Sequence, residues 1–446
     1  MKKVLIIPSN TDLNRGDQAL VWESINLVED IFGKENVECS LMGDLKDKDV
    51  RYQNGQTEKL GYKFVDTLIK HPGRKYQSKH EDSKGYSKLT MIQWGWQAVK
   101  DYLHTIFLLS SFSIIRSFGE KFLSKSEMST LRTIKESDAI FVKGGGFIHS
   151  YGAVTDPYFI YYLTCNMRVA QAYGKKVFVL PNSVGPLKNS SAKKIALDAL
   201  NKCSFVSVRE NISKQFLESL GMKVHLFPDL GFFLKPANND FSEYLRAKGV
   251  PLEQKKVVMT LRPYRFQGFT NSDELFAHYI QGFVNLVDSL SSRGYHVTFM
   301  AHTLGPSSHE DDRIAIKDVL DVLPVDIKKN TSYIEDFSLT CKDVEKIYSY
   351  YDYMIGTRFH SVIFSLNVGV PAIAIAYGGN KGKGIMSFLG NDEFSIDMDK
   401  IQGDSLVKLF GKLEDGRDAY LDNLKAKRLV IDELRNALIS QIRATL

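Results

Sequence analysis

The clearest patterning in the chain lies between residues 351 and 366. Tyr353-Met354-Ile355 is a continuous apolar run and Gly356-Thr357 breaks it. Phe359, Val362, Ile363 and Leu366 then recur at i, i+3, i+4 and i+7. That pattern predicts a short buried strand, a tight turn and a helix with an inward stripe. Arg358 and His360 fall at the helix start, His360 about 100° round from Phe359. Unpaired amides and the positive end of the helix dipole favour anions there. Open α/β sheets build anion sites in this way, at the carboxyl ends of their strands. The structural alternative is that Arg358 and His360 cap neighbouring carbonyls.

The same alternation runs through most of the chain. Residues 4–7 read as a strand covered on both faces. A loop with Asn10, Asn14, Arg15, Gly16 and Asp17 follows, then a helix opening at Ala19-Leu20 with Trp22, Ile25 and Val28 inward. The loop is not GxGxxG, so the dinucleotide fingerprint is absent. Asp17 serves equally well as a helix N-cap. Strands are expected at 37–42 and at 138–143, the latter running into Gly144-Gly145-Gly146, where a ligand or another backbone can approach closely. A helix at 158–173, a strand at 177–180 and a turn over 181–186 containing Asn182 and Ser183 come next. The strand at 205–208 ends in Arg209, for which an ion pair with Glu210 or Asp229 is the structural alternative. After a polar linker around 235–256, a second alternation begins. The strand at 257–261 leads into Arg262, the strand at 296–300 into Ala301-His302, and the apolar run 371–376 into a Lys- and Gly-rich turn over 377–384. The fold class is α/β: two Rossmann-like doubly wound domains facing a shared cleft, as in glycosyltransferases of the B type. Residues 1–240 form the first domain and 241–425 the second, and a helix at 426–446 returns to the first.

Residues 45–135 interrupt the alternation as an insertion. It opens with a polar, basic segment (Lys46, Lys48, Arg51, His71, Arg74) and turns aromatic at Trp94, Trp96 and Tyr102. The apolar run 106–115 is shorter than the ~20 residues a spanning helix needs. It reads as a buried helix, the commoner arrangement, or as one lying in a membrane interface with Lys100, Arg116, Lys121 and Lys125 beside it. The chain is 43% hydrophobic and 25% charged, with a formal charge of +6. That charge suits an anionic ligand or a membrane surface and is too small to argue for nucleic acid. Four dispersed cysteines and an N-terminus that enters a strand at once lead to an expected cytoplasmic location, at the inner face of the cytoplasmic membrane if the insertion docks there.

Asn14-Arg15-Gly16-Asp17-Gln18-Ala19-Leu20, the triple glycine, Asn182-Ser183-Val184-Gly185-Pro186, Val208-Arg209-Glu210, Pro228-Asp229 and Gly356-Thr357-Arg358-Phe359-His360-Ser361 occur in a characteristic order. Together they resemble the polysaccharide pyruvyl transferase family, whose members move the pyruvate unit of phosphoenolpyruvate onto a sugar as a cyclic ketal. The resemblance runs from about residue 4 to 383, with 45–135 outside it. Asn182 stands where glutamine is common and Phe359 where leucine is usual, and the insertion leaves acceptor recognition open. The resemblance implies that Arg209, His360 and Lys381 hold the donor, with Arg358 and Lys383 in second rank. His360 is then the candidate acid and Asp17 the candidate base. Asn14, Gly16, Gly144, Gly145, Gly146, Asn182, Ser183, Arg262 and His302 line the expected cleft. No cofactor and no metal are expected, since phosphoenolpyruvate is a co-substrate. The acceptor is expected to be a sugar on a lipid-linked oligosaccharide, with peripheral membrane contact and no nucleic acid. Two other readings stay open: a nucleotide-sugar-dependent glycosyltransferase of the same fold, and a non-catalytic binding or scaffold protein.

Overall fold

A computed structural model describes residues 1–9, 11–43, 53–70, 88–266, 269–377 and 381–446, without the side chains of 88–91, 381–383 and 385. The basic residues expected at 46–51 and 71–84, and turn positions 378–380, lie outside the described residues. The chain divides into two compact units. One comprises Met1–Asn10, Ser24–Asp229 and Ala437–Leu446, the other Thr11–Glu23 and Leu230–Asn436. The division thus falls after Asp229 rather than at 240, and the loop carrying Asn14, Gly16 and Asp17 is part of the second unit.

The first unit is built on a parallel sheet of β1 (Lys2–Ile7), β2 (Val37–Met42), β3 (Lys63–Val65), β4 (Ala139–Val142), β5 (Gly145–Ser150), β6 (Lys176–Leu187), β7 (Phe205–Val208) and β8 (His225–Leu226). The order is β3-β2-β1-β4-β6-β7-β8, with β5 also on β6. Leu5, Ile140, Val177 and Val179 are fully buried, as sheets covered on both faces require. β6 does not stop at residue 180 as expected. β5 offers it a second neighbour, with Gly145 opposite Asn182 and Ile148 opposite Val184, so the stretch 181–187 is strand rather than turn. The triple glycine therefore admits a neighbouring backbone. The insertion adds helices Lys88–Thr105, Ser113–Glu120 and Lys125–Glu136. The run 106–115 is not one helix. It breaks into a 3-10 turn, Ile106–Leu109, and the start of the next helix. At the chain's end, Arg443 Nε donates to the Ile31 carbonyl at 2.9 Å.

The second unit repeats the plan with β9 (Lys256–Thr260), β10 (His296–Met300), β11 (Thr331–Ile334), β12 (Tyr353–Gly356), β13 (Ala372–Ala376) and β14 (Ser395–Asp397), in the order β11-β10-β9-β12-β13-β14. Strand order reverses between β9 and β12, which places a crevice outside the carboxyl ends of those two strands. Helix Arg15–Phe32 starts four residues earlier than its apolar pattern indicated. Asn14 is the reason. Its Oδ1 accepts from the amides of Gly16 at 3.0 Å and Asp17 at 3.3 Å, so Asn14 rather than Asp17 occupies the capping position.

Candidate functional site

β12 ends at Gly356, and Arg358 then caps the helix Phe359–Asn367. The turn is compact because glycine allows it: a Cβ on Gly356 would lie 2.6 Å from Val362 Cγ2. Thr357 is tied to β9, its Oγ1 donating to the Thr260 carbonyl at 3.0 Å. The helix is buried beyond its expected stripe, with Ser361, Phe364 and Ser365 also inaccessible. His360 occupies its first turn, half-exposed.

Two carboxylates meet the Arg358 guanidinium. Its Nε donates to Asp312 at 2.7 Å and its Nη1 to Glu310 at 2.7 Å. Arg262, at the carboxyl end of β9, donates to the other Glu310 oxygen at 2.9 Å and lies over the Tyr377 ring at 4.3 Å. Burial works to lower the Arg358 pKa, but Asp312 and Glu310 outweigh it and hold the guanidinium firmly charged. Burial also works to raise Glu310, yet Arg358 and Arg262 keep it below its ordinary value. For Asp312 burial prevails over Arg358 and the Thr303 amide, and the carboxyl is pushed up to about 6. Arg358 thus braces the turn through two carboxylates rather than by capping neighbouring carbonyls. Its buried Nη2 has no acceptor among the described residues, which leaves one donor for a ligand oxygen.

His302, beyond β10, is wholly buried. Burial, helped by the nearby charges of His360 and Arg358, drives its pKa well below the ordinary value, so it is neutral at physiological pH. Its Nδ1 lies 3.2 Å from the Tyr348 hydroxyl, and its Nε2 has no partner among the described residues. The segment from Thr11 is laid along this edge. Asn14 bridges to Thr303, and the Arg15 amide donates to the His302 carbonyl at 3.2 Å. Arg15 itself is buried, with Nη2 donating to the Asp336 carbonyl at 3.0 Å. Gly16 packs directly on the His360 imidazole, and any side chain at that position would collide with the ring. Asp17 is close enough for its charge to oppose ionisation of Glu310.

The second unit therefore gathers Asn14, Gly16, Asp17, Arg262, His302, Arg358 and His360. Reading the sequence missed Glu310, Asp312 and the buried Arg15. The run Glu310-Asp311-Asp312 reads locally as the charged start of a helix, and its partner Arg358 lies 46 residues on from Asp312. Helix Lys381–Leu389 opens at Lys381, and the side chains of Lys381 and Lys383 lie outside the described residues.

The first unit gathers the others. Arg209, at the end of β7, donates through Nε to Ser183 at 2.7 Å and through Nη1 to Asp229, with Glu210 at 3.8 Å. The ion-pair alternative for Arg209 is thus realised with both carboxylates. Ser183 in turn donates to Glu210 at 2.9 Å. Asn182 Nδ2 donates to the Lys143 carbonyl at 2.8 Å, where β4 gives way to Gly144, Gly145 and Gly146. Gly145 has φ +153°, a backbone suited to glycine.

Among solved structures the chain is similar to the UDP-GlcNAc 2-epimerase of Methanocaldococcus jannaschii, with TM-score 0.52 and 13% identity over 93% of this chain and 92% of that one. It is also similar to Arabidopsis thaliana UGT89C1, complexed with UDP-L-rhamnose, with TM-score 0.52 and 11% identity over 99% and 98%. At such identities the likeness shows the fold alone, two parallel-sheet α/β domains of glycosyltransferase-B type. By sequence the chain is 26% identical over 295 residues to the amylovoran biosynthesis protein AmsJ of Erwinia amylovora. That match covers 63% of this chain and 66% of AmsJ, just under two thirds of the relative's length. A family profile spans residues 14–379, starting at the asparagine that caps the first helix. Both strand-end clusters fall inside it, and the chain belongs to the polysaccharide pyruvyl transferase family.

Proposed function

We propose that this protein transfers the pyruvate unit of phosphoenolpyruvate to a sugar of a cell-surface polysaccharide precursor, forming a ketal and releasing phosphate. The observation that carries the reading is His360, seated in a helix's first turn against Gly16, beside a charged guanidinium with a spare N–H and a neutral histidine. A proton delivered to the donor's methylene carbon makes the adjacent carbon electrophilic. One sugar hydroxyl adds there, the phosphate ester bond breaks, and a second hydroxyl closes the ring. One proton ends on the new methyl group and the other leaves with phosphate, so donor and diol are fully accounted for. His360 supplies the first proton, a role suited to imidazole near neutral pH. Asp17 receives the hydroxyl proton. Arg358, Arg262, Lys381 and Lys383, all of the second unit, are the cations assigned to the donor's carboxylate and phosphate, each testable by its own replacement. No cofactor or divalent metal takes part. The acceptor is a lipid-linked oligosaccharide in the cytoplasm.

The test is phosphate release on incubation with phosphoenolpyruvate and nitrophenyl or lipid-linked sugars. Release that depends on both substrates is expected, and His360→Ala should slow it by roughly two to four orders of magnitude. Turnover of a nucleotide sugar with none of phosphoenolpyruvate would transfer the chain to the glycosyltransferases. Turnover of neither would leave a scaffold.

A further inference from the structure

Large apolar side chains open to solvent concentrate in one stretch of the first unit. On helix Lys88–Thr105, Ile92, Trp96, Val99 and Leu103 recur at i, i+4, i+7 and i+11, one stripe of the helix, and all four are exposed. The opposite face is the anchored one. Asp101 and Thr105 are buried there, Asp101 accepting from the Tyr158 hydroxyl at 2.5 Å and Thr105 paired with Tyr161. Four residues beyond Leu103, Phe107 meets the Phe118 ring at 5.6 Å, and Phe118 meets Phe122 at 4.9 Å. Gly119 permits this approach, since a Cβ there would come 2.6 Å from Phe107 Cβ. All three rings remain exposed, as do Phe112 at 69% and Ile114 at 84%. An apolar surface of this kind marks an interaction site.

The charges around it say what kind. Between residues 92 and 125 the exposed charged side chains are Lys100, Lys121 and Lys125. The acidic groups of the stretch are turned to other work: Asp101 is buried, and Glu120 is held by Lys135 at 2.7 Å and the Tyr173 hydroxyl at 2.8 Å. An apolar, aromatic face rimmed by lysines complements an anionic bilayer interface. A symmetric contact with a second copy would bring this basic rim against itself. Among the described residues no helix is long and apolar enough to cross a membrane. We propose that residues 92–122 form a docking surface that seats in the interface of an anionic membrane.

Co-sedimentation with vesicles tests it, independently of the donor chemistry. The wild-type chain is expected to pellet with equimolar phosphatidylglycerol and phosphatidylcholine, weakly with phosphatidylcholine alone, and less as salt rises. Ile114→Asp and Trp96→Ser should each reduce binding about tenfold or more. Lys121→Ala and Lys125→Ala should each weaken it about fivefold. Melting temperatures should be unchanged in all four variants. Absence of binding to either vesicle would overturn the proposal, as would equal, salt-insensitive binding to both. A concentration-dependent dimer that Ile114→Asp dissolves would assign the face to a second copy instead, and likewise overturn it.

Discussion

His360 rests against a residue that has no side chain, and the fit leaves no room for one. Gly16→Ala is therefore expected to push the imidazole aside while leaving the rest of the unit folded. A displacement of about 1 Å costs on the order of a hundredfold in rate. Phosphate release should fall by that amount, with little change in melting temperature. Arg209 presents the opposite case. Its ion pair with Asp229 is buried, with side chains 2% and 0% exposed. Removing one partner of such a pair costs about 3–5 kcal/mol, because a buried charge loses its counterion. Arg209→Ala should lower the thermal midpoint sharply, as circular dichroism would record. Any loss of activity in that variant is then partly loss of fold, and Arg209→Lys, which keeps the charge, is the better probe of a role toward donor. Asp312 adds a pH dependence. With its carboxyl pushed up to about 6, it protonates as pH falls through that value and releases Arg358. The Glu310–Arg358–Asp312 brace is complete above about pH 6, and turnover should decline below it.

Helix Cys341–Tyr348 shows what an element carries beyond its pattern. Thr340 and Asp343 close a capping box at its start, with the Thr340 amide donating to Asp343 at 2.8 Å. Further along, Glu345 faces inward and is fully buried. Burial above all, reinforced by Glu23, pushes its carboxyl up to about 9. A carboxyl raised in the folded state binds its proton more tightly there than in the unfolded chain. Its contribution is thus most favourable in acid and is lost as pH rises from about 4.5 towards 9. Glu345→Gln, neutral in both states, should melt higher than the wild type at pH 8, with the difference shrinking towards pH 5. Elements such as β12 and its helix were legible in the sequence because their apolar periods are local. So was the grouping of Arg262, His302 and Arg358, since each follows a strand whose end the pattern marks. The strand character of 181–187 was not, because it depends on β5 being alongside. Nor was the early start of helix Arg15–Phe32, where Asn14 capping outweighs a polar first turn. The bonds of Glu310 and Asp312 span 46 to 48 residues and leave no periodic trace.

At the scale of the whole molecule, ligand and fold are linked by mass action. A donor that binds only the native chain at a hundred times its Kd adds about 2.7 kcal/mol. Phosphoenolpyruvate is expected to raise the melting temperature of the wild type, and nucleotide sugars to leave it in place. Neither compact unit is an unbroken length of chain: the second reaches back for Thr11–Glu23, and the first forward for Ala437–Leu446. Gene shuffling meets that arrangement directly. A hybrid of two relatives with a single crossover near residue 230 would inherit its imidazole from one parent and the glycine beneath it from the other. Two crossovers, at about 23 and 230, keep residues 16 and 360 from one parent, and four, one at each boundary between the units, are needed to exchange a whole unit intact.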